Sequence, residues 1–507
     1  MKKKLSTTLL IVLFLGIVKL LLHLLTNTNY GLHRDAYLYY SLGENLDWGF
    51  MSVPPFIALV AKISTLLFGN TVFGLRFFPA LVGGISVIVI AAIVKELKGG
   101  KFAMIIALLA FILSPALLRS NSLFQPVTFN QFFWLLAGYL IIKLVNSKNE
   151  RLWLLIFLVF AIGFLNKYSI IFFAFSILSA FLLSPHRHLI NSKYFLVGFA
   201  MAFVIIFPNL IWQYLHGWPV ITHMATLQKT QLVHVSLMGF FMDQLIMNLP
   251  GIITWLTGLI VFTFFSNEKK FRFVGIGFFI LLVILIIARG KGYYTIGYYS
   301  LFFALGGYAI DKYYKQTLKY SVALFNLIII IPMLPMSLPV LKHENLAKFS
   351  RPIAPMVNRW EDGKIHAIPQ DFADMTGWQE LANLVIEFYQ SLPPEKQKQT
   401  MIFAENYGQA GAIYFHGKKF NIPRPVSFDD NFIFWAPSNI DNKSLLYAGH
   451  DATEVKEMFE TCKKIGEINN IYFRESGVEV FYLDDPKNNF EEKYQEILSA
   501  FKAPYIK

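Results

Sequence analysis

Carboxylate side chains are scarce in the first two thirds of the chain. Of the 32 Asp and Glu residues, only eight precede residue 341. They are Asp35, Glu44, Asp47, Glu96, Glu150, Asp243, Glu268 and Asp311. A carboxylate can take or orient the proton of an attacking hydroxyl group. Any such chemistry in this part of the chain therefore has very few candidates.

Long apolar runs explain this scarcity. Hydrophobic residues make up 55% of the chain and Phe alone occurs 50 times, a composition typical of a membrane protein. Several charge-poor runs approach the roughly 20 residues that cross a bilayer core. The runs are 7–25, 75–94, 102–118, 132–145, 152–165, 169–183, 194–212, 251–265, 273–288, 296–310 and 320–338. The sequence thus predicts an α-helical polytopic membrane protein with about eleven transmembrane helices.

The basic residues predict the orientation of these helices. If Lys2, Lys3 and Lys4 are cytoplasmic and each run crosses once, seventeen Lys and Arg residues fall on the cytoplasmic side and eight outside. The external ones are Arg34, Lys62, Arg76, Arg119, Lys167, Lys229, Arg289 and Lys291. This asymmetry follows the positive-inside rule. An odd number of crossings then places everything after Leu338 outside.

Four of the eight acids fall in loops predicted to be external. Glu96, Glu150, Glu268 and Asp311 lie in short, Lys-rich cytoplasmic turns, where a solvated surface charge is a sufficient explanation. Asp35, Glu44, Asp47 and Asp243 remain outside. We therefore expect the chemistry to face outward.

Two external loops, 27–73 and 215–249, are longer than a connection needs. The first contains two amphipathic segments, 37–48 and 56–68, with Pro54 and Pro55 between them. Proline interrupts a helix, and amphipathic helices of this kind lie in the membrane interface. The sequence therefore predicts two interfacial helices in the first external loop.

The chain changes character after residue 340. Residues 341–507 contain 24 acidic and 19 basic residues. Their patterns predict strands at 400–404, 445–448 and 478–483 and helices at 378–390, 453–462 and 490–501. We expect a transmembrane domain at 1–340 and an extracytoplasmic α/β domain at 341–507. Cys462 is the only cysteine, so no intrachain disulfide is expected.

Five short segments together resemble a known family. They are Gly-Leu-His-Arg-Asp at 31–35, Asp-Trp-Gly at 47–49 with Pro54 and Pro55 downstream, Leu-Asn-Lys-Tyr-Ser at 165–169, Pro-Asn-Leu-Ile-Trp-Gln at 208–213 followed by His-Gly-Trp-Pro at 216–219, and Gly-Lys-Gly-Tyr-Tyr at 290–294. In this order they look like a bacterial glycosyltransferase family 39 protein. Such proteins have the GT-C fold and are similar to protein O-mannosyltransferases and lipid A aminoarabinose transferases. The resemblance covers roughly residues 5 to 340.

The resemblance implies an enzyme that moves a sugar from a polyprenyl-phosphate donor to an acceptor on the outer face of the cytoplasmic membrane. The acceptor is a lipid, a glycan or a protein. The implied partners are the lipid-linked donor, the acceptor and membrane lipid, and no nucleic acid. The sequence identifies neither the sugar nor the acceptor.

The resemblance places the catalytic carboxylate at Asp35. Most relatives have an Asp-Glu pair there, whereas this chain has Asp35 followed by Ala36. Asp35 must then act alone or be assisted by Glu44 or Asp47. A structural alternative makes Asp35 a partner of Arg34 or a cap of the helix that follows.

The expectation for metal is negative. Relatives often have an acidic residue near the start of the fourth span, where this chain has Asn130. We therefore expect no tightly bound divalent cation and no other cofactor. If a divalent cation binds weakly, we expect it at Asp35 and His216.

External cations and aromatic residues are candidates for binding the donor phosphate. Lys291 is flanked by glycines that let a phosphate approach the backbone, and Tyr294 and Tyr293 follow it. We add Arg34, Lys167, His216, Lys229 and Asn130 as substrate-binding candidates. Structural alternatives exist for several of these residues. Lys291 is also explained as an interfacial lysine, the tyrosines as part of an aromatic belt, His216 as a hydrogen-bonded loop residue and Lys167 as the polar apex of a helical hairpin.

A transporter or flippase of a lipid-linked or small polar substrate is the alternative function. Transporters tend to have charged or helix-breaking residues near the middle of paired spans, often with repeat symmetry. In this sequence the polar residues collect at the external ends of the spans, and no internal repeat is visible. The pattern favours the transferase.

Overall fold

The computed structural model describes residues 7–487 and 489–505, and Lys2, Lys3 and Lys4 lie outside this part. The chain divides into two compact units. The first comprises Met1–Asn27, Arg76–Asn209 and Leu227–Val340, and the second comprises Thr28–Leu75, Leu210–Thr226 and Leu341–Lys507. One boundary falls at residue 340, but most of the first external loop joins the second unit. The predicted division into two domains at that residue stays a prediction.

All eleven predicted apolar runs form helices. These helices are Thr7–Leu24, Val72–Glu96, the pair Lys101–Ile112 and Pro115–Ser122, Pro126–Ser147, Leu152–Asn166, Ile170–Leu182, Lys193–Leu215, Ile252–Phe264, Arg272–Ile287, Ile296–Tyr313 and Gln316–Ile330. Pro115 begins a new helix, which is bent by 58° from the one before it. Pro219–Thr230 and Leu237–Ile246 are the helices of the second long loop.

Length separates these helices into two groups. Within the described residues, six helical stretches are long and apolar enough to cross a membrane, or seven if the bent pair is one span; two of them, Ser266–Ile287 and Gln316–Ser337, include adjoining short helices. Others are shorter, such as Ile170–Leu182 and Ile252–Phe264, with 13 residues each. Thirteen helical residues reach about 20 Å, against about 30 Å of hydrocarbon. The multi-pass helical membrane protein is confirmed, while eleven full crossings and their orientation stay predictions.

Glycines bring two helices of the first unit into direct backbone contact. A Cβ added at Gly306 would lie 1.8 Å from the carbonyl oxygen of Thr254, and one at Gly258 would lie 2.6 Å from that of Phe302. Small residues allow such approach, and van der Waals packing then holds helices together in lipid. The contact fixes Ile296–Tyr313 against Ile252–Phe264, directly after the segment that contains Lys291.

The second unit contains a four-stranded sheet. Its strands are β1 (Thr400–Ala404), β2 (Ser444–Gly449), β3 (Phe459–Ile468) and β4 (Val478–Pro486), in the order β1-β2-β4-β3. β1 and β2 are parallel, and the other two pairs are antiparallel. Among the helices of this unit are Trp378–Ser391, Tyr407–Gly417 and Phe490–Lys502. The predicted α/β character of residues 341–507 is confirmed.

One predicted helix is wrong. Residues 453–462 form only the short helix Thr453–Lys456, after which the chain enters β3. Val455, Met458, Phe459 and Cys462 have helical spacing, which produced the incorrect prediction. Backbone pairing with β4, from Phe459 opposite Pro486 to Ile468 opposite Val478, overrides that local pattern. Since β3 is an edge strand, most of its side chains are exposed and carry no alternating pattern.

The first external loop folds as two helices, Arg34–Glu44 and Phe56–Phe68. The first begins three residues before the predicted segment and has eight of its eleven residues buried. An interfacial helix was expected here, but protein covers most of this one. An amphipathic pattern is the same whether the apolar face meets lipid or protein, so the sequence did not distinguish them. Gly43 approaches Ala61 closely, since an added Cβ would lie 2.8 Å from the Ala61 methyl group.

The glycine contact in the first unit predicts a stability effect. Gly306→Ala should destabilise the protein by about 1–3 kcal/mol, because the new methyl group overlaps the Thr254 carbonyl and forces the two helices apart. Gly16→Ala is the matched control, since its nearest neighbour would lie at 3.5 Å. Thermal unfolding of the purified protein in detergent measures both. Equal melting temperatures for the two variants would contradict the packing described here.

Candidate functional site

Asp35 lies in the first turn of the helix Arg34–Glu44. His33 is the residue that caps this helix, and its Nδ1 accepts a hydrogen bond from the Asp35 backbone N–H at 3.1 Å. An acidic side chain in the first turn is favoured by the helix dipole. Asp35 is therefore not the cap, which was one structural alternative for it. Its side chain is 30% exposed.

A tyrosine from the C-terminal part of the chain holds the Asp35 carboxylate. The Tyr407 hydroxyl donates a hydrogen bond to Asp35 Oδ1 at 2.9 Å. The Arg34 guanidinium lies over the Tyr407 ring, 4.4 Å from its centroid. Burial and the negative charge of Asp35 raise the pKa of Tyr407 well above its usual value. The phenol therefore keeps its proton and acts as a donor.

Arg34 is paired with Glu475, at 4.0 Å from Nε to Oε1. Glu475 also accepts hydrogen bonds from Asn406 and Gln409, both at 3.0 Å, and lies 3.4 Å from His450. Burial opposes ionisation of Glu475, but the bond from His450 and the charge of Arg34 overcome it and lower the pKa. The carboxylate is therefore ionised and fixes Arg34 in place. The predicted contact of Arg34 with the donor phosphate would have to compete with these partners.

A second ion-paired group surrounds His33. Its Nε2 lies 3.4 Å from Asp374 and 4.0 Å from Asp371. Asp374 also accepts two hydrogen bonds from Arg474, at 3.0 and 3.1 Å. Burial lowers the pKa of His33, but the carboxylates of Asp35, Asp374 and Asp371 raise it by more, to about 9. A second proton on the ring would have to displace the cap bond at Nδ1.

His33, Asp371 and Asp374 are close enough together to hold a metal ion, since their ligand atoms lie within 4.8 Å of one another. The hydrogen bonds do not fit this use. Because Nδ1 accepts the Asp35 N–H, the neutral ring carries its proton on Nε2, the atom that faces the two carboxylates. Asp374 is already engaged twice by Arg474. A metal ion at this group would have to displace the Nε2 proton of His33 and share Asp374 with Arg474.

Two further acids are the half-buried Asp429, which is bonded to Tyr407, and the buried Asp430 that follows it. Asp429 accepts a hydrogen bond from the Tyr407 backbone N–H at 3.1 Å. Burial raises the pKa of Asp429, and burial together with the neighbouring Asp429 raises the pKa of Asp430 to about 7. Asp430 has a φ of +46°, and its side chain accepts the N–H of Asn431. Asn431 in turn accepts the N–H of Met51, which ties this turn to the first external loop.

Two glycines let the helix Tyr407–Gly417 lie close to Arg34–Glu44. A Cβ at Gly411 would lie 2.9 Å from backbone atoms of Tyr37, and one at Gly408 would lie 2.8 Å from the Arg34 side chain. Any larger residue would push the helices apart. Gly408 and Gly411 thereby keep Tyr407 within reach of Asp35.

The two acids that were expected to assist Asp35 have other partners. Glu44 lies 3.1 Å from Lys62 and 2.6 Å from Lys418. Asp47 accepts the Trp212 indole N–H at 2.7 Å. Neither is described in contact with Asp35, and each is accounted for by its own ion pair or hydrogen bond.

His216 stacks on Trp212, with ring centroids 4.0 Å apart and an interplanar angle of 17°. Its Nδ1 is hydrogen-bonded to the Trp212 carbonyl oxygen at 2.8 Å. Phe434 packs against the ring at 5.4 Å. These contacts are those of a structural loop histidine, the alternative weighed for this residue.

In the first unit, four of the residues predicted to bind the donor phosphate lie together. Lys167 Nζ is 5.9 Å from the centroid of the Tyr294 ring. Tyr294 packs edge-on against Tyr293 at 4.8 Å, and its N–H is bonded to the Lys291 carbonyl oxygen. Lys291 Nζ donates to Gln231 at 2.7 Å. Lys167 therefore lies near the Tyr294 ring and Lys291 precedes Tyr294 in the same turn, although the two lysines are more than 120 residues apart in sequence.

Gly292 is tightly packed. A Cβ there would lie 2.4 Å from the Asp243 carboxylate, and the Gly292 carbonyl accepts a bond from Gln244 at 3.2 Å. Gln244 also accepts the hydroxyl groups of Thr295 and Tyr299. These contacts hold the segment 291–295 rigidly against the helix Leu237–Ile246. The sequence predicted that Gly292 leaves space for a phosphate. The structure shows that Gly292 is also required by its close packing against Asp243.

The two remaining candidates differ in burial. Asn130 is buried, accepts the Trp134 indole N–H at 3.1 Å and donates to Ser169 at 3.4 Å, two residues after Lys167. Lys229 is exposed near the end of the helix Pro219–Thr230. Asn130 therefore supports the turn that contains Lys167, while Lys229 is a surface residue.

Sequence reasoning did not find most partners of Asp35. His33 was quoted as part of a motif without a role, and Tyr407, Asp374, Asp429 and Glu475 were not considered. The helix Tyr407–Gly417 was not predicted, because it contains three glycines and no strong amphipathic stripe. The two small residues three apart in Gly408 and Gly411 were the available signal for close helix packing.

Comparisons with known proteins agree with the resemblance. A family model described as dolichyl-phosphate-mannose-protein mannosyltransferase matches residues 52–212. Lipid A galacturonosyltransferase RgtD of Rhizobium johnstonii is 28% identical over 195 residues. That match covers 37% of this chain and 40% of the relative, so the alignment spans about two fifths of RgtD.

Solved structures show the fold. ArnT from Cupriavidus metallidurans bound to undecaprenyl phosphate superposes with a TM-score of 0.65 at 11% identity, over 94% of this chain and 98% of that one. The oligosaccharyltransferase AglB from Archaeoglobus fulgidus, in complex with an inhibitory peptide and a dolichol-phosphate, gives 0.52 at 13% identity, over 87% and 69%. Another structure of that transferase is a complex with Zn and sulfate, with a TM-score of 0.51.

The fold predicted from the sequence is therefore confirmed. The transporter alternative finds no support among these proteins. The chain resembles the membrane glycosyltransferases of GT-C fold that use lipid-phosphate-linked sugars.

Proposed function

We propose that the protein transfers a sugar from a polyprenyl-phosphate donor to a hydroxyl or phosphate oxygen of an acceptor. The observation that carries this proposal is the placement of Asp35. It is one of only eight acids in the first 340 residues, and a buried network of charges and hydrogen bonds surrounds it. The fold shared with ArnT over 94% of the chain supports the same reaction class.

In the proposed reaction the acceptor oxygen attacks the anomeric carbon of the sugar. A bond forms between these two atoms, and the bond from the anomeric carbon to the phosphate oxygen breaks. The electron pair leaves with the polyprenyl phosphate. Asp35 takes or orients the proton of an attacking hydroxyl group. No step requires a metal ion.

Lys291 and Lys167 are the residues that we assign to the leaving phosphate. Negative charge grows on the phosphate as the bond breaks, and fixed cations stabilise that charge. Tyr294, whose ring centroid is 5.9 Å from Lys167 Nζ, and Tyr293 beside it would complete this group. We assign Arg34 to Tyr407 and Glu475 rather than to the phosphate.

We further infer that the protein is an inner-membrane protein whose N-terminus is cytoplasmic and whose residues 341–507 lie outside. The acceptor then meets the enzyme on the outer face of the membrane. The acceptor is a lipid, a glycan or a protein. The names of the relatives include transferases of lipid A, of protein and of oligosaccharide.

Asp35→Asn tests the proposed reaction. Loss of the base should lower the transfer rate at least about 100-fold while the protein still folds and inserts. The measurement is transfer of labelled sugar from a polyprenyl-phosphate donor by purified protein. Asp47→Asn is the control, because Asp47 has its own partner in Trp212. Near-normal turnover of the Asp35 variant would remove Asp35 from the mechanism.

Lys291→Ala tests the donor phosphate group. Removal of one stabilising cation should raise the barrier by about 2–4 kcal/mol. Arg289→Ala is the matched control, since this exposed arginine lies two residues away at the same helix end. Steady-state turnover with saturating donor compares the two. Equal losses would show that only the local positive charge matters and that Lys291 has no specific role.

Exhaustive chelation tests the account of His33. Since its Nδ1 caps the helix at Asp35 and Arg474 engages Asp374, transfer should persist after EDTA treatment and removal of bound metal. Metal content is measured in the same sample. Complete loss of activity that Mg²⁺, Mn²⁺ or Zn²⁺ restores would contradict this account.

A further inference from the structure

Tyr407 is the one side chain of the C-terminal part that donates to Asp35 among the described hydrogen bonds. It is held at three points. Its backbone N–H is bonded to Asp429 at 3.1 Å, its ring lies 4.4 Å from the Arg34 guanidinium, and its hydroxyl is 2.9 Å from Asp35 Oδ1. A side chain anchored at both ends and along one face has little freedom to move.

The partners of Tyr407 are themselves fixed. Arg34 is paired with Glu475, which Asn406 and Gln409 hold at 3.0 Å each. Asn406 immediately precedes Tyr407 and also caps its helix through the N–H groups of Gly408 and Gln409. The bond to Asp35 is therefore the end of a continuous chain of contacts within the second unit.

The chemistry of the phenol suits one purpose. Asp35 is 30% exposed, and the Tyr407 hydroxyl group holds its Oδ1 at a fixed place. A neutral donor holds one oxygen at a set place and removes none of the negative charge that a base needs, whereas a lysine there would neutralise it. Because Tyr407 retains its proton, it does not itself compete for the acceptor proton.

We propose that Tyr407 is a positioning residue that orients the Asp35 carboxylate toward the acceptor hydroxyl group, so that residues 341–507 complete the active site. This inference rests on the proposed transferase function. It gives the C-terminal part a direct role in the reaction, in addition to any part in binding the acceptor.

Tyr407→Phe removes the hydroxyl group and keeps the ring under Arg34. Turnover should fall about 10- to 100-fold, the effect of one lost hydrogen bond to a charged group. The KM for the donor should stay within about twofold of wild type, and the melting temperature within about 2 °C. The reason is that the Phe ring keeps the contact with the Arg34 guanidinium. The protein is assayed at full length in lipid nanodiscs.

Tyr389→Phe is the matched control. Its hydroxyl donates a similar bond, to the Gln397 carbonyl at 2.8 Å, in the same unit but in the helix Trp378–Ser391. Its turnover should equal that of wild type. Asp429→Ala provides a second variant, which removes the anchor of the Tyr407 backbone and should give an intermediate loss of turnover with unchanged donor KM.

Three results would overturn the inference. Wild-type turnover in Tyr407→Phe would show that the bond has no role. Faster turnover would identify it as a resting contact that the acceptor displaces. Parallel loss of donor affinity and melting temperature would give Tyr407 a purely structural role. A failure of the proposed function differs from all of these, since wild-type protein would then transfer no sugar from any polyprenyl-phosphate donor.

Discussion

A buried charge is tolerated only when an opposite charge or hydrogen bonds compensate it. This constraint governs the surroundings of residues 33–35, where a histidine, an arginine and an aspartate follow one another at the start of a helix. His33 is 7% exposed in its side chain and Arg34 is 17% exposed. Their compensating groups, Asp374 and Glu475, both come from the C-terminal part of the chain. These contacts join the start of the helix Arg34–Glu44 to residues 341–507 within the second unit.

The same constraint explains the geometry at Asp35. Glu475 fixes Arg34, Arg34 fixes the Tyr407 ring, and Tyr407 donates to Asp35. On the other side His33 caps the helix through the Asp35 N–H. Backbone and side chain of Asp35 are thus held by different partners. Preorganisation of this kind means that little rearrangement is needed when a reacting group arrives.

The sequence predicted the helices of the first unit well, because long apolar runs of nearly 20 residues are typical of helices in a membrane. It predicted Asp35, Lys167, Lys291 and Tyr294 as candidates from a family resemblance, and the last three lie together in the structure. Three strands and two long helices of the C-terminal part were also predicted correctly.

The network around Asp35 was not predictable in the same way. Tyr407 and Glu475 lie about 370 and 440 residues from Asp35 in sequence, and neither belongs to a local pattern. The small residues Gly408 and Gly411 signal close helix packing, but the sequence does not show that the helix packed there is Arg34–Glu44. β3 was missed for a related reason, since pairing with β4 decided its structure over its local helical spacing.

The central claim is that this membrane protein is a sugar transferase rather than a transporter. Reconstituted protein can be given a labelled polyprenyl-phosphate sugar together with a cell-envelope acceptor fraction. The account predicts that label moves to the acceptor and that free polyprenyl phosphate appears in equal amount. Movement of the intact donor or of free sugar across the vesicle membrane, with no new glycosidic or phosphodiester product, would contradict it.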